Sequence, residues 1–179
     1  METLAFMDIE PFTSNGNYAV NVGWRYVEEW IRDNAKDERL GFDMDPDFQR
    51  GHVWTEKQQR DYVEFCLRGG VGSSEIRWNC VGWMGSFRGP FVLVDGKQRL
   101  ESVRKFLRGE LSVFGRTREQ FTGPLRCDFI FRVNDLPTRE LVLKWYLEIN
   151  SGGVVHSTEE LDRVRKLLRK EQRAKEPTQ

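Results

Sequence analysis

The chain has 179 residues, of which 39% are apolar and 12% aromatic, so it is long and hydrophobic enough to fold as one globular domain. Its 28 basic and 28 acidic residues give a formal net charge of zero, which argues against attraction of the whole molecule to nucleic acid or to an acidic membrane. The sequence holds no run of roughly 20 apolar residues, as a membrane-spanning helix would need. Its N-terminus also lacks the basic start and apolar middle of a signal peptide. We therefore expect a cytoplasmic protein with no membrane partner.

The elements of the first third are predicted from hydrophobic spacing. Residues 4–9 are predicted to form a short strand, and residues 15–17 a turn. A helix should follow, because apolar residues recur at helical spacing: Val22, Tyr26, Val27, Trp30 and Ile31. The polar residues 32–37 predict a loop, and the alternation over residues 40–45 predicts a half-buried strand.

The middle of the chain alternates between strands and helices. Thr55 and Gln58 form the capping box of a helix that should end at Gly69 and Gly70. Strands are predicted over residues 74–84 and 91–94, and a helix closed by Gly109 should follow the second of them. Two more strands are predicted, over residues 111–114 and 127–133.

Two helices complete the predicted domain. Thr138 is placed to cap a helix that ends at residues 150–153, and a final helix should begin near Ser157 with Glu160 in its capping box. The three cysteines, Cys66, Cys80 and Cys127, are odd in number, far apart and set among apolar residues. This distribution favours buried reduced thiols over disulfides, zinc ligands or a nucleophile.

A polar segment interrupts the apolar run that begins at Phe91. Asp95 and Gly96 predict a tight turn between a strand and a helix, and Lys97, Gln98 and Arg99 begin that helix. A helix N-terminus with two cations beside a glycine suits a phosphate group. In the alternative interpretation, Asp95 caps an ordinary helix and both cations are solvated.

Two further polar segments are candidate ligand contacts. Gln49 and Arg50 lie between a predicted strand and a capped helix, where an arginine can hold a phosphate, although a surface arginine beside Asp47 is the alternative. The segment Asn150, Ser151, Gly152 and Gly153 lies between two helices, where backbone N–H groups can face a ligand. A plain turn between helices explains the same residues.

The last helix is strongly basic. Its cations are Arg163, Arg165, Lys166, Arg169, Lys170, Arg173 and Lys175. They could contact DNA or the acidic N-terminal third, or they could form a solvated helix face.

Taken together and in order, the three polar segments resemble a known family. Residues 48–54, Asp95 to Leu100, and residues 146–153 with Glu160 and Leu161 look like the N-terminal domain of GmrSD-type restriction systems. That domain resembles the ParB and sulfiredoxin fold, and its usual central motif is Asp-Gly-Gln-Gln-Arg. The resemblance spans residues 46–161 and implies an α+β fold with a small mixed sheet packed by helices. We accordingly expect a single domain over residues 1–161, followed by a basic helix and tail over residues 162–179.

The resemblance also implies a site for a nucleoside triphosphate and Mg²⁺. The positions that match the family motifs are Asp95, Gly96, Gln98, Arg99, Gln49, Arg50, Asn150 and Gly153. Lys97 departs from the usual glutamine, keeping a hydrogen-bond donor and adding a charge. Because 179 residues leave no room for the histidine-and-metal nuclease domain of these systems, we expect no complete restriction activity.

The resulting hypothesis is a nucleoside triphosphatase or a related hydrolase. Gly96 and the helix N–H groups would cradle a phosphate that Lys97, Arg99 and Arg50 neutralise, with the glycine segment after Asn150 as a further wall. Asp95 would hold Mg²⁺ or a water molecule, with Glu101 as a second candidate metal ligand. Either Gln49 or Gln98 would orient the attacking water.

A non-enzymatic alternative also fits the sequence. The pocket would then sense a nucleotide, while the basic helix contacts DNA or a host or phage protein. Direct nuclease action is disfavoured because the sequence shows no clustered carboxylate or histidine metal site. A phage or mobile-element origin, with a role in the conflict over restriction, is expected from the family association alone.

Overall fold

The fold is a mixed sheet covered by helices on both faces, seen in a computed structural model. The structure describes residue 9 and residues 18–35, 41–49, 51, 53–70, 72, 74–83, 89–151 and 158–174. The strands are β1 (Tyr18–Gly23), β2 (Phe42–Asp43), β3 (Glu75–Asn79), β4 (Phe91–Asp95) and β5 (Asp128–Asn134). The helices are α1 (Trp24–Ala35), α2 (Glu56–Leu67), α3 (Lys97–Leu107), α4 (Arg139–Ser151) and α5 (Thr158–Arg173). The predicted α+β class is confirmed.

The sheet has the strand order β1-β5-β3-β4-β2, so β3 lies at its centre. Strand β3 runs parallel to β5 and antiparallel to β4, while β1 pairs antiparallel with β5 and β2 parallel with β4. Arg77 is in register with Asp95 on one side and with Arg132 on the other. The centre of the sheet therefore gathers charged residues from three strands.

Each face of the sheet carries its own hydrophobic core. Alternate residues of β3, β4 and β5, including Trp78, Leu93 and Phe131, pack with α1, α2 and α3. On the other face, Val94 packs with Leu143 of α4 and Val164 of α5. Among the described residues, no helix is both long enough and apolar enough to cross a membrane.

Several predicted elements differ from the structure because strand pairing outweighs local spacing. Val22 belongs to β1, which pairs with β5 along its whole length, so the first helix begins only at Trp24 and continues to Ala35 through part of the predicted loop. Residues 111–114 form no strand, since Val113 only bridges Arg116 across a turn. The predicted elements at residues 4–8 and 15–17, and the start at Ser157, lie outside the described residues.

Other predictions hold at the level of individual contacts. Thr55 and Gln58 form the expected capping box at the start of α2. Cys66 and Cys80 are buried free thiols, as predicted, whereas Cys127 is half-buried. Burial raises the pKa of the Cys80 thiol to about 11, so this group stays protonated at neutral pH.

The junction between β4 and α3 depends on a glycine, which gives a first prediction. Gly96 has a φ of 99°, and a Cβ atom added there would lie 2.6 Å from Ile76 Cδ1 and 3.2 Å from the Glu75 carbonyl oxygen. We expect Gly96→Ala to lower the free energy of unfolding by about 2 kcal/mol or more, measured by urea denaturation.

The matched control is Gly115→Ala. Gly115 also has a positive φ, of 71°, but a Cβ atom there would meet nothing within 4 Å. The free energy of unfolding of Gly115→Ala should therefore fall by only about 1 kcal/mol, which is the cost of placing an alanine at a positive φ. Equal losses at the two positions would contradict the close packing inferred at Gly96.

Candidate functional site

The central polar segment lies where β4 gives way to α3, as the sequence predicted. Gly96 is the N-cap residue of α3 and makes no side-chain cap, so the alternative in which Asp95 caps the helix is wrong. The first backbone N–H groups of a helix have no partner within the helix, and they give this end of α3 a partial positive charge.

The Asp95 carboxylate is bound by two arginines. Its Oδ2 atom accepts hydrogen bonds from Arg77 Nη1 at 2.9 Å and from Arg99 Nη2 at 2.8 Å. Glu75 accepts a bond from Arg77 Nη2 at 3.0 Å and one from Arg132 Nε at 2.6 Å. This network joins three guanidinium groups to two carboxylates, which leaves one net positive charge beside the N-terminus of α3.

A pocket of about 380 Å³ opens beside this network. We call it the arginine pocket, and it is lined by Glu75, Arg77, Arg132 and Trp145. The first three side chains come from β3 and β5, and the indole comes from α4. Pockets of this volume are large enough for a small ligand.

Some guanidinium donors have no hydrogen-bond partner among the described residues. Arg99 Nε is buried and has no hydrogen-bond partner within the described part of the chain. Arg132 uses only Nε in its bond to Glu75, which leaves both terminal nitrogens for another acceptor. Nearby, burial raises the pKa of the Tyr62 phenol above its ordinary value, and the charge of Arg99 offsets this only in part.

Gln49 is buried and anchors its segment to the sheet. Its side-chain Nε2 donates to the Leu93 carbonyl oxygen at 2.5 Å. The backbone carbonyl oxygen of Gln49 accepts a hydrogen bond from Arg163 Nη2 at 2.7 Å. The first polar segment is thus bonded to both β4 and α5. Arg50, its predicted phosphate ligand, lies outside the described residues.

Gln98 joins the central segment to the first. Its Oε1 accepts hydrogen bonds from the backbone N–H groups of Val53 at 2.9 Å and Trp54 at 3.1 Å, and its Nε2 donates to the Gly51 carbonyl oxygen at 3.2 Å. The amide therefore holds the backbone that directly follows Arg50 in sequence. This geometry favours a positioning role for Gln98.

Only part of the third segment is described. Asn150 is buried near the end of α4 and donates from Nδ2 to the Tyr146 carbonyl oxygen at 2.7 Å. Ser151 is the last residue of α4, but its side chain, Gly152, Gly153 and both histidines lie outside the described residues. The predicted glycine wall of the site stays a prediction.

Lys97 and Glu101 point away from the arginine pocket. Lys97 forms an ion pair with Asp45 and lines a separate cleft of about 270 Å³, which shares no lining residue with the arginine pocket. The Glu101 oxygens accept bonds from Arg104 at 3.3 Å and Arg108 at 3.0 Å. A metal ion at Glu101 would have to displace these guanidinium groups.

The described residues fit a magnesium ion only if the phosphates of a substrate supply some of its ligands. No group of three or more His, Cys, Asp and Glu side chains in the described ranges could hold a metal ion. Asp95 receives both of its hydrogen bonds on Oδ2, so Oδ1 keeps a lone pair for a cation. Mg²⁺ often binds proteins through one or two carboxylates together with substrate phosphates, and Asp95 can supply one such ligand.

Helix α5 packs on α4 through Val164 and presents a basic face. Arg165 pairs with Asp162, and Arg163 bonds to the Gln49 backbone. On α5, the exposed cations whose side chains make neither an ion pair nor a hydrogen bond with a described residue are Lys166, Arg169, Lys170 and Arg173. Lys175 lies outside the described residues.

Sequence reasoning missed four residues of the pocket: Glu75, Arg77, Arg132 and Trp145. The available signal was the alternation of charged residues with Ile76 and Trp78 in one strand and with Phe131 in another. Such alternation is typical of half-buried strands in general. Only the register of β3 between β4 and β5 shows that these charges meet Asp95.

Comparison with known proteins identifies the family. Residues 27–176 match the family model described as GmrSD restriction endonuclease, N-terminal domain, and the matched region includes every helix except the first residues of α1. Searches of curated proteins and of solved structures find no match. Because the family match covers most of the chain, this protein belongs to the family of GmrSD restriction endonuclease N-terminal domains.

Proposed function

We propose that the domain binds the phosphate groups of a nucleoside triphosphate in the arginine pocket and hydrolyses the nucleotide with Mg²⁺. The observation that carries this proposal is the gathering of Arg77, Arg99 and Arg132 around the Asp95 and Glu75 carboxylates. Guanidinium groups bind carboxylates and phosphates with the same planar donor geometry. A triphosphate can use the remaining donors and the net positive charge.

The unused donors support the phosphate end of this proposal. The terminal nitrogens of Arg132, which lines the arginine pocket, have no acceptor within the described residues. Trp145 supplies an aromatic surface on which a base can stack. The partial positive charge at the start of α3 adds to the attraction of an anion.

The catalytic part of the proposal assigns Mg²⁺ to Asp95. Asp95 would hold the ion, which when bound would supply neutralisation of the charge on the transferred phosphoryl group. Arg99 and Arg77 hold Asp95 in place and face the phosphates. Gln49 remains a candidate for orienting water through Oε1, which accepts no hydrogen bond from a described residue.

The other predicted residues take supporting roles in this proposal. Gln98 positions the segment that follows Arg50, so that Arg50 can clamp the phosphate from the facing loop. Asn150 holds the end of α4, from which Ser151, Gly152 and Gly153 continue. Lys97 acts at a distance, since its ion pair is with Asp45 and lies outside the arginine pocket.

A second candidate function is DNA binding through α5. It is favoured by Lys166, Arg169, Lys170 and Arg173, which are exposed and lack an ion pair among the described residues. The name of the family also points to restriction of DNA. Such a face would contact phosphates of the duplex without reading sequence.

Two isosteric substitutions separate binding from hydrolysis. We expect Asp95→Asn to lower magnesium-dependent phosphate release on the order of 100-fold, because it removes the proposed metal ligand. Nucleotide binding without Mg²⁺ should be retained or tightened, because one carboxylate no longer competes for Arg77 and Arg99. Calorimetry measures the binding and a colorimetric phosphate assay the release.

Glu75→Gln is the matched control for that experiment. It removes the same charge from the same arginine network but leaves Asp95 intact. Because Glu75 lines the arginine pocket, the comparison is made at saturating nucleotide, where its phosphate release should fall far less than that of Asp95→Asn. An equal loss of release in the two variants would contradict a metal role for Asp95, and absence of nucleotide binding in all three proteins would overturn the proposed function.

The DNA-binding candidate has its own test. Changing Lys166, Arg169, Lys170 and Arg173 to Gln should weaken binding of a duplex oligonucleotide and lower the slope of log K against log salt by up to about 3.6, since each duplex phosphate contact contributes about 0.9. The variant Arg32→Gln/Lys57→Gln, which alters exposed residues already paired with carboxylates, is the control. Unchanged duplex binding in the four-residue variant would exclude α5 as the contact.

A further inference from the structure

A second surface of the molecule combines arginines with exposed aromatic rings. We call it the arginine–aromatic surface, and its members are Arg25, Tyr26, Arg68, Phe114, Arg116, Arg118 and Arg126. It lies around two hollows of about 250 and 430 Å³ that share Pro124 and Leu125 in their lining. Neither hollow contains a residue of the arginine pocket.

The arginines of this surface are not used to hold the fold together by ion pairs. None of the five pairs with a carboxylate in the described part of the chain, in contrast to Arg77, Arg104 and Arg108. Asp128 is the only acidic residue that lines either hollow, and Glu64 nearby accepts a bond from the Phe114 backbone N–H. Glu119, which follows Arg118 directly, is a third nearby carboxylate, so five arginines against three carboxylates leave the surface with a net positive charge although the chain as a whole is neutral.

Two aromatic rings stand out of this surface into solvent. Tyr26 is 49% exposed and Phe114 is 40% exposed. The guanidinium of Arg25 lies 4.4 Å from the Tyr26 ring centroid, and that of Arg68 lies 5.0 Å from the Phe114 ring centroid. Each ring thus forms a stacked unit with a cation.

The backbone at Phe114 adds an independent observation. Its φ is 50°, and it is the only non-glycine residue with a positive φ in the described ranges. A bulky side chain in this conformation costs free energy, and glycine would relieve it. The ring is nevertheless held at the tip of a turn, exposed beside Arg68 and outside the two core clusters.

We infer that the arginine–aromatic surface binds single-stranded nucleic acid. Bases of any sequence stack on exposed rings and on guanidinium planes, while unpaired arginines contact the phosphates. The two hollows are wide enough to receive an unstacked base. An acidic peptide would also be attracted by the charge, but it offers no flat group for the ring–arginine units.

This inference does not depend on the proposed nucleotide site, because the two surfaces share no residue. It is tested by fluorescence anisotropy with three labelled probes. These are a mixed-sequence single-stranded DNA of about 16 nucleotides, its duplex, and a peptide of glutamate residues. We expect the single strand to bind more tightly than either of the other two.

The variants locate the contact. Arg116→Gln/Arg126→Gln should weaken single-strand binding and lower its salt slope by roughly 1.4, since each phosphate contact contributes about 0.7. Phe114→Gly should weaken it about tenfold while the melting temperature is kept, because glycine accepts the positive φ. The control variant Arg32→Gln/Lys57→Gln also removes two positive charges, but from another part of the surface. It should bind single-stranded DNA like the unmodified protein.

Several results would overturn the inference. They are absence of single-strand binding by the unmodified protein, tighter binding of the glutamate peptide, and unchanged affinity in the Arg116→Gln/Arg126→Gln variant. Loss of single-strand binding only when the basic residues of α5 are neutralised would place the contact on that helix instead. Circular dichroism of each variant confirms that a loss of binding does not reflect unfolding.

Discussion

The contact between the Asp95 carboxylate and two guanidinium groups joins three elements of this fold. Arg77 comes from the central strand, Asp95 from the end of its neighbour, and Arg99 from the first turn of α3. All three side chains are only partly exposed, so each charge needs a partner to offset its lost hydration. Removing Asp95 would leave Arg99 without its carboxylate and Arg77 with Glu75 alone, and guanidinium groups of this kind suit a phosphate.

The other polar segments of the family pattern serve this junction mainly through the backbone. Gln49 bonds to the Leu93 carbonyl oxygen, and Gln98 bonds to three backbone groups of residues 51–54. Asn150 bonds to the Tyr146 carbonyl oxygen within α4. Amide side chains at such places fix the positions of loops, while the arginines and Asp95 supply the charge. Lys97, which departs from the usual glutamine, pairs with Asp45 and lines a separate cleft, so it is not among the residues that line the arginine pocket.

The sequence predicted the features that depend on local chemistry. The capping box at Thr55, the turn at Gly96 and the strand before it all follow from neighbours in the chain, whereas the fold class was expected from the family resemblance. Strand β1 was missed because Val22 also fits a helical spacing. Only its pairing with Phe129 in β5 shows that it belongs to a strand. Arg77 and Arg132 could not be assigned to the site for the same reason. Their meeting with Asp95 depends on the order and register of strands far apart in sequence.

If the arginines around Asp95 form a phosphate site, a nucleotide must bind there and Arg99 must contribute to its affinity. The decisive experiment is calorimetric titration of the unmodified protein with each of the four ribonucleoside triphosphates in Mg²⁺, repeated with Arg99→Ala. We expect saturable binding of at least one nucleotide and a loss on the order of tenfold or more in the variant, because the contact is charge-assisted. Binding of equal strength in both proteins, or no binding in either, would contradict it.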